Sequence, residues 1–165
     1  MEKTMKIAKP RRITRSYVQS IEGTPEEIFP LYCPVKEADW CPGWDPEVVY
    51  SESGLVEPDC VFVTRDGEAE STWFVTVQDP ERSFVEMIKH TPGVTFVKLR
   101  ISLQPISARL THATISYSYT SLSTAGDKIL EEFTGESYKT MMAAWESAMN
   151  HYLKTGEMLT DVEKF

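Results

Sequence analysis

The chain has 165 residues, the size of one ordinary domain, and its 41% hydrophobic and 25% charged residues are the usage of a folded protein rather than a disordered one. The net charge is −8, but residues 1–15 hold six basic groups against Glu2 alone, leaving 11 basic and 24 acidic residues in the remainder. A body this acidic repels phosphate backbones, which excludes nucleic acid as a partner, and no apolar run approaches the roughly 18 residues that would insert stably in a bilayer.

In chain order, residues 1–11 read as a flexible basic arm, and the opening MEKTMKIAKPRR has no apolar core of the secretory kind. Residues 12–22 place Ile13, Tyr17 and Ile21 on one parity, the pattern of a first strand. Thr24-Pro25-Glu26-Glu27 then offers a capping threonine, a proline in the first turn and a glutamate at the third position, so a helix starts here. Pro30 and Pro34 keep it short, and a second short helix is predicted over Val35–Trp40. Pro42-Gly43 turns the chain between Trp40 and Trp44.

Six strands are predicted next: Val48–Glu52, Val61–Arg65, Thr72–Gln78, Ser83–His90, Val94–Leu103 and Leu110–Leu122. Short turn signals such as Asp66-Gly67, Asp79-Pro80 and Pro92-Gly93 separate them, which demands an antiparallel meander. Trp73, Val75 and Val77 share a parity, as do Thr95, Val97, Leu99, Ile101 and Leu103, and again Ala113, Ile115, Tyr117 and Tyr119. One face of the sheet is therefore apolar. Residues 124–155 read as one long helix, capped by Thr124 with Asp127 and stopped at Gly156. Its apolar stripe runs through Leu130, Phe133, Ser137, Met141, Trp145, Ala148, Met149 and Tyr152.

An apolar sheet face and an apolar helical stripe must cover one another. Twisted strands curl around a rod without touching it everywhere, so an interior hollow is expected, lined by the inward parity of the strands.

This order of elements, over about residues 12–155, resembles the helix-grip fold of the SRPBCC superfamily, which contains START lipid-transfer domains, the birch-pollen allergen group and polyketide cyclases. Ile21-Glu22-Gly23-Thr24-Pro25-Glu26-Glu27-Ile28-Phe29 is similar to that family's V-x-I-x-A-P-x-E-x-V-F/W opening. Trp44-Asp45-Pro46-Glu47-Val48 is similar to its W-x-P-x-V approach to the second strand. Trp40-Cys41-Pro42-Gly43-Trp44 departs from the pattern in its wealth of aromatic residues. The fold class expected is α+β, a curved seven-stranded antiparallel sheet wrapped around a long C-terminal helix, with two short helices between strands 1 and 2. The ligand-binding domain spans residues 12–156, and residues 157–165 form a tail.

The resemblance implies a cavity for a hydrophobic molecule. The residues expected to line it are Tyr17, Gln19, Trp73, Val75, Val97, Leu99, Ile115, Tyr117 and Tyr119 on the sheet, and Phe133, Ser137, Met141 and Trp145 on the helix. Each aromatic or amide among them reads equally as an ordinary core residue bonded to backbone. Glu86, in Phe84-Val85-Glu86-Met87-Ile88, is a candidate acid or base if it faces inward and a solvated group if Val85 and Met87 do. Gly135 reads as a relief of crowding within the helix or as a kink.

Cys33, Cys41 and Cys60 are odd in number and sparse, which suits a reducing, cytoplasmic compartment. They and His90, His112 and His151 lack metal-ligand spacing, and neither a Gly-rich phosphate loop nor a G-x-S-x-G elbow is present, so no metal, cofactor or nucleophile is expected. Three functions remain: a carrier of a small hydrophobic molecule or lipid, a cyclase/aromatase- or dehydratase-like enzyme using the same cavity, and a partner-binding module with a filled core. A homodimer is conceivable through an edge strand or the Trp40–Trp44 region.

Overall fold

In the computed structural model, which describes residue 9 and residues 11–160, the first strand β1 spans Arg12–Ile21. The capping box then forms as its sequence demands. Thr24 Oγ1 accepts from the Glu27 backbone N–H at 3.3 Å, and Glu27 Oε2 accepts from the Thr24 N–H at 2.9 Å. Helix α1, Pro25–Ile28, passes into a 3-10 turn, Phe29–Tyr32, and helix α2 follows at Pro34–Trp40. Each of these three segments begins with a proline in its first turn, where the missing N–H costs nothing.

The meander is β2 Glu47–Tyr50, β3 Val61–Asp66, β4 Ala69–Asp79, β5 Phe84–Thr91, β6 Thr95–Ser107 and β7 Leu110–Ser121. With β1 they form one antiparallel sheet in the order β1-β7-β6-β5-β4-β3-β2. Register builds inward-facing rows across it. One row runs Phe62, Trp73, Lys89, Val97, Tyr119, Ile13. The next runs Val75, Met87, Leu99, Tyr117, Arg15, and a third runs Val85, Ile101, Ile115, Tyr17. Val77 departs from its expected parity: a bulge between Val75 and Val77 turns it outward, where it is exposed.

The single long helix expected over 124–155 is two helices, α3 Thr124–Glu132 and α4 Gly135–Thr155. Phe133 takes a non-helical conformation (φ −80°, ψ 64°), and Thr134 starts the chain again by accepting the Ser137 N–H at 3.1 Å. Arg15, on β1, holds the break. Its Nε donates to the Phe133 carbonyl at 2.8 Å, and its guanidinium lies 5.6 Å from the centre of the Phe133 ring. Ser123 rather than Thr124 caps α3, accepting from Gly126 N–H at 3.3 Å. Gly135 opens α4 instead of lying within a helix, and Gly156 stops it in the left-handed region (φ +74°).

The restart resets the phase of the apolar stripe. Tyr138, Met142, Trp145, Ala148 and Met149 are buried, whereas Ser137 is exposed and donates its hydroxyl to the Glu132 and Thr134 carbonyls. At Gly126, α3 presses on the turn between β5 and β6: a Cβ there would lie 2.0 Å from the Val94 carbonyl oxygen.

Most of the predicted basic arm lies outside the described residues. Its last residue, Arg11, pairs with Asp127 at 3.5 Å. Of the predicted tail, residues 161–165 lie outside the described residues, while Leu159 packs against the core. No described helix is long and apolar enough to cross a membrane.

Candidate ligand-binding cavity

Sheet and helices do not meet everywhere. Between them lies a cavity of about 280 Å³. Its sheet wall is Phe62 on β3, Trp73 on β4, Met87 and Lys89 on β5, Leu99 on β6, and Tyr117 and Tyr119 on β7. Met141 and Trp145 of α4 close one side, and Glu37 of α2 with Cys41 and Trp44 closes the other. At the mouth, Trp44, Asp66, Trp73 and Lys89 also line an outer vestibule of about 460 Å³.

The aromatic wall is locked by its polar edges. Trp73 Nε1 donates to Thr64 Oγ1 at 2.9 Å, and Trp44 Nε1 donates to the Pro34 carbonyl at 2.7 Å. Trp40 Nε1 donates to the Leu31 carbonyl at 2.7 Å, so Trp40 is wholly buried behind the wall and stands edge-on to Trp145, 6.2 Å between ring centres. Phe62 stacks on Trp73 at 5.3 Å, and Trp44 meets both edge-on. With their N–H groups satisfied, Trp44 and Trp73 present apolar ring surface at the cavity wall.

The polar groups facing the hollow are in the opposite condition. Glu37 is 8% exposed, and burial pushes its carboxyl up to about 8. No described residue hydrogen-bonds that carboxyl, nor the Tyr117 and Tyr119 hydroxyls. Burial raises Tyr117 far above the usual phenol range and Tyr119 to about 12, so both remain neutral donors. Burial, reinforced by Glu37, raises the Cys41 thiol to about 12, which removes it as a nucleophile. Trp145 Nε1 is buried with no partner among the described residues. Lys89 is held below the ordinary amine range by burial, partly opposed by Asp66, and its Nζ lies 5.2 Å from the Trp73 ring centre.

Of the residues expected to line the cavity, Trp73, Leu99, Tyr117, Tyr119, Met141 and Trp145 come together around it. Val75, Val97 and Ile115 share its sheet face but are fully buried in the packed core beside it. Gln19 is wholly buried and committed to protein: its Nε2 donates to the Met142 carbonyl at 2.9 Å, and its Oε1 accepts from Tyr32 Oη at 2.6 Å. Tyr17 is half-buried at an outer groove beside Arg15 and Tyr138. Phe133 sits at the helix break against Tyr119, ring centres 4.4 Å apart, and Ser137 faces solvent.

Glu86 lies on the outer parity, because Val85 and Met87 are the buried pair. Burial would raise its carboxyl, but hydrogen bonds from Arg100 (2.7 Å) and Thr76 (2.8 Å) outweigh it and the net shift is downward. It is an outer-surface ion pair, not an acid in an apolar place. The Trp40–Trp44 segment is not a free apolar patch for a second copy: Trp40 is internal and Trp44 is cavity wall.

Sequence reasoning missed Glu37 and Lys89. Both had a signal. Pro34, Glu37 and Trp40 recur at three, which puts the carboxyl on the buried face of α2, and Lys89 continues the parity of Val85 and Met87.

No family model matches the sequence, and no curated protein matches it. Solved structures do match in three dimensions. Norcoclaurine synthase from Thalictrum flavum superposes with a TM-score of 0.67 at 12% identity, over 94% of this chain and 99% of that one. An aromatase/cyclase from a Streptomyces species, Zhui, gives 0.63 at 10%, over 90% and 100%. The protein Ara h 8.0201 gives 0.63 at 13%, over 88% and 99%. At such identities the likeness is one of architecture. The chain has the helix-grip fold that these solved structures share.

Proposed function

We propose that the protein binds a small aromatic molecule, of one or two rings, inside this cavity. The observation that carries the reading is the contrast on the cavity wall. The aromatic wall is fixed in place by its N–H bonds, and Glu37, Tyr117 and Tyr119 present polar groups that no described residue satisfies. Trp145 Nε1 is buried without a partner among the described residues, so a guest that satisfies it and the neighbouring carboxyl and hydroxyls gains affinity as well as orientation. Size supports the same class. An apolar cavity of roughly 150 Å³ holds benzene, and this one is about 280 Å³. A two-ring compound suits it better than a long-chain lipid. The hollow also speaks against a partner module with a filled core.

Below about pH 8 the neutral Glu37 donates a hydrogen bond to a carbonyl or hydroxyl of the guest. A second reading rests on that same group. A cavity carboxyl that gains and loses its proton near neutral pH is suited to general acid–base work. This keeps a cyclase/aromatase- or dehydratase-like activity as the alternative, with Glu37 in the role first considered for Glu86.

The binding reading is tested by titrating 2-naphthol against the protein's tryptophan fluorescence, with native mass spectrometry of gently purified protein. Saturable one-to-one quenching is expected, weakened at least tenfold in Trp73→Ala. Unchanged fluorescence, with no adduct retained, would sink it.

A further inference from the structure

Resting on the binding reading above, we propose that the guest is an aromatic acid, its rings within the cavity and its carboxylate on the Lys89 ammonium at the mouth. Four observations lead there. Lys89 lies on an inward-facing row, directly across from Trp73, so its stem is part of the wall and its Nζ lies over the indole where cavity and vestibule join. No carboxylate among the described residues comes within 4.0 Å of it, whereas the neighbouring vestibule cation, Arg65, is spent on Glu47 at 2.8 Å and Glu70 at 3.1 Å.

The carboxyls that share the space do not replace a ligand anion. Asp66 stands exposed at the rim, where it only partly opposes the effect of burial on Lys89, and Glu37 is neutral below about pH 8. At neutral pH Lys89 is therefore the cation that faces the cavity, opposed in part by Asp66 at its rim. A half-buried cation over an aromatic ring attracts an anion more strongly than an exposed one, because the lower local dielectric weakens screening. The geometry also divides the ligand: the rings lie against the wall of Trp73, Leu99, Met141 and Trp145, with one anionic substituent pointing outward toward Lys89.

The test uses the whole chain and three isosteric probes: 2-naphthoate, neutral 2-naphthamide and cationic 2-naphthylmethylamine. Calorimetric titration at pH 7 is expected to rank naphthoate at least tenfold tighter than the amide, with the amine weakest. The preference should shrink in 0.5 M salt and vanish in Lys89→Met and Lys89→Gln, which should bind naphthoate no tighter than the amide. Equal binding of all three probes, or tightest binding of the amine, would overturn the assignment of Lys89 and leave the aromatic cavity standing. Binding of none would overturn both. The probe ranking on unaltered protein decides the question even if a variant folds poorly.

Discussion

The two ends of the sheet–helix interface are built from similar residues and behave differently. At the packed end, Gln19, Ile101, Ala113, Ile115, Met142, Ala148 and Met149 are all wholly buried, and the one polar side chain among them is hydrogen-bonded at both its oxygen and its nitrogen. At the hollow end, Glu37 and Tyr117 are buried and Tyr119 is half-buried, and all three lack protein partners among the described residues. Burial alone does not separate core from site. The state of the polar groups does: satisfied by the chain at one end, left for a guest at the other.

The largest effect that could break this comparison is the pH dependence contributed by Glu37. In the unfolded chain its carboxyl ionises near the ordinary 4.5, but in the native state it keeps its proton until about 8. Between those values the unfolded state binds fewer protons, so stability falls as pH rises, by roughly 1.4 kcal/mol per pH unit, and levels off above 8. From pH 5 to pH 8 the loss is up to about 4 kcal/mol. Urea melts of wild type and Glu37→Gln at both values check it: the wild type should lose the larger share, and the variant should flatten the difference.

Adjacent methionines sharpen the contrast. Met142 is wholly buried at the packed end, and Met142→Ala should cost about 3 kcal/mol through the void it leaves. Met141 is only half-buried on the cavity wall, so Met141→Ala should cost about 1 kcal/mol and admit bulkier guests. Denaturant midpoints, with titration of a larger aromatic, separate the two.

Gly126→Ala comes next. The added methyl has no room before the Val94 carbonyl, and lifting α3 should cost about 2 kcal/mol in chemical denaturation. The smallest effect is expected from Glu86→Gln. Its pairing with the half-exposed Arg100 is worth less than about 1 kcal/mol after solvent screening. Naphthol uptake should be unchanged, since the side chain faces away from the cavity.

Much of the architecture was legible in the sequence. Period-two alternation from Trp73 to Tyr119 and the Thr24 capping box are local signals, and they yield the seven antiparallel strands and the first short helix. The break at Phe133 was hidden because its cause is not local: Arg15, 118 residues earlier, reaches across to bind the carbonyl that α3 leaves free. The site was half legible for the same kind of reason. Strand parity finds Trp73, Leu99, Tyr117 and Tyr119, but it cannot tell a residue facing the hollow from Val97 or Ile115 one packed position away. Glu37 escaped because a charged residue on a seven-residue helix reads as solvated until α4 and the sheet are seen to cover it.

The central claim is that this hollow is a compartment for a compact ring system. Competition between guests of different length tests it most directly. The protein is saturated with 2-naphthol and challenged with palmitate, each followed by tryptophan fluorescence and mass. The account requires one naphthol per chain, with no displacement by palmitate and no palmitate adduct. Stoichiometric uptake of palmitate with exclusion of naphthol would contradict it.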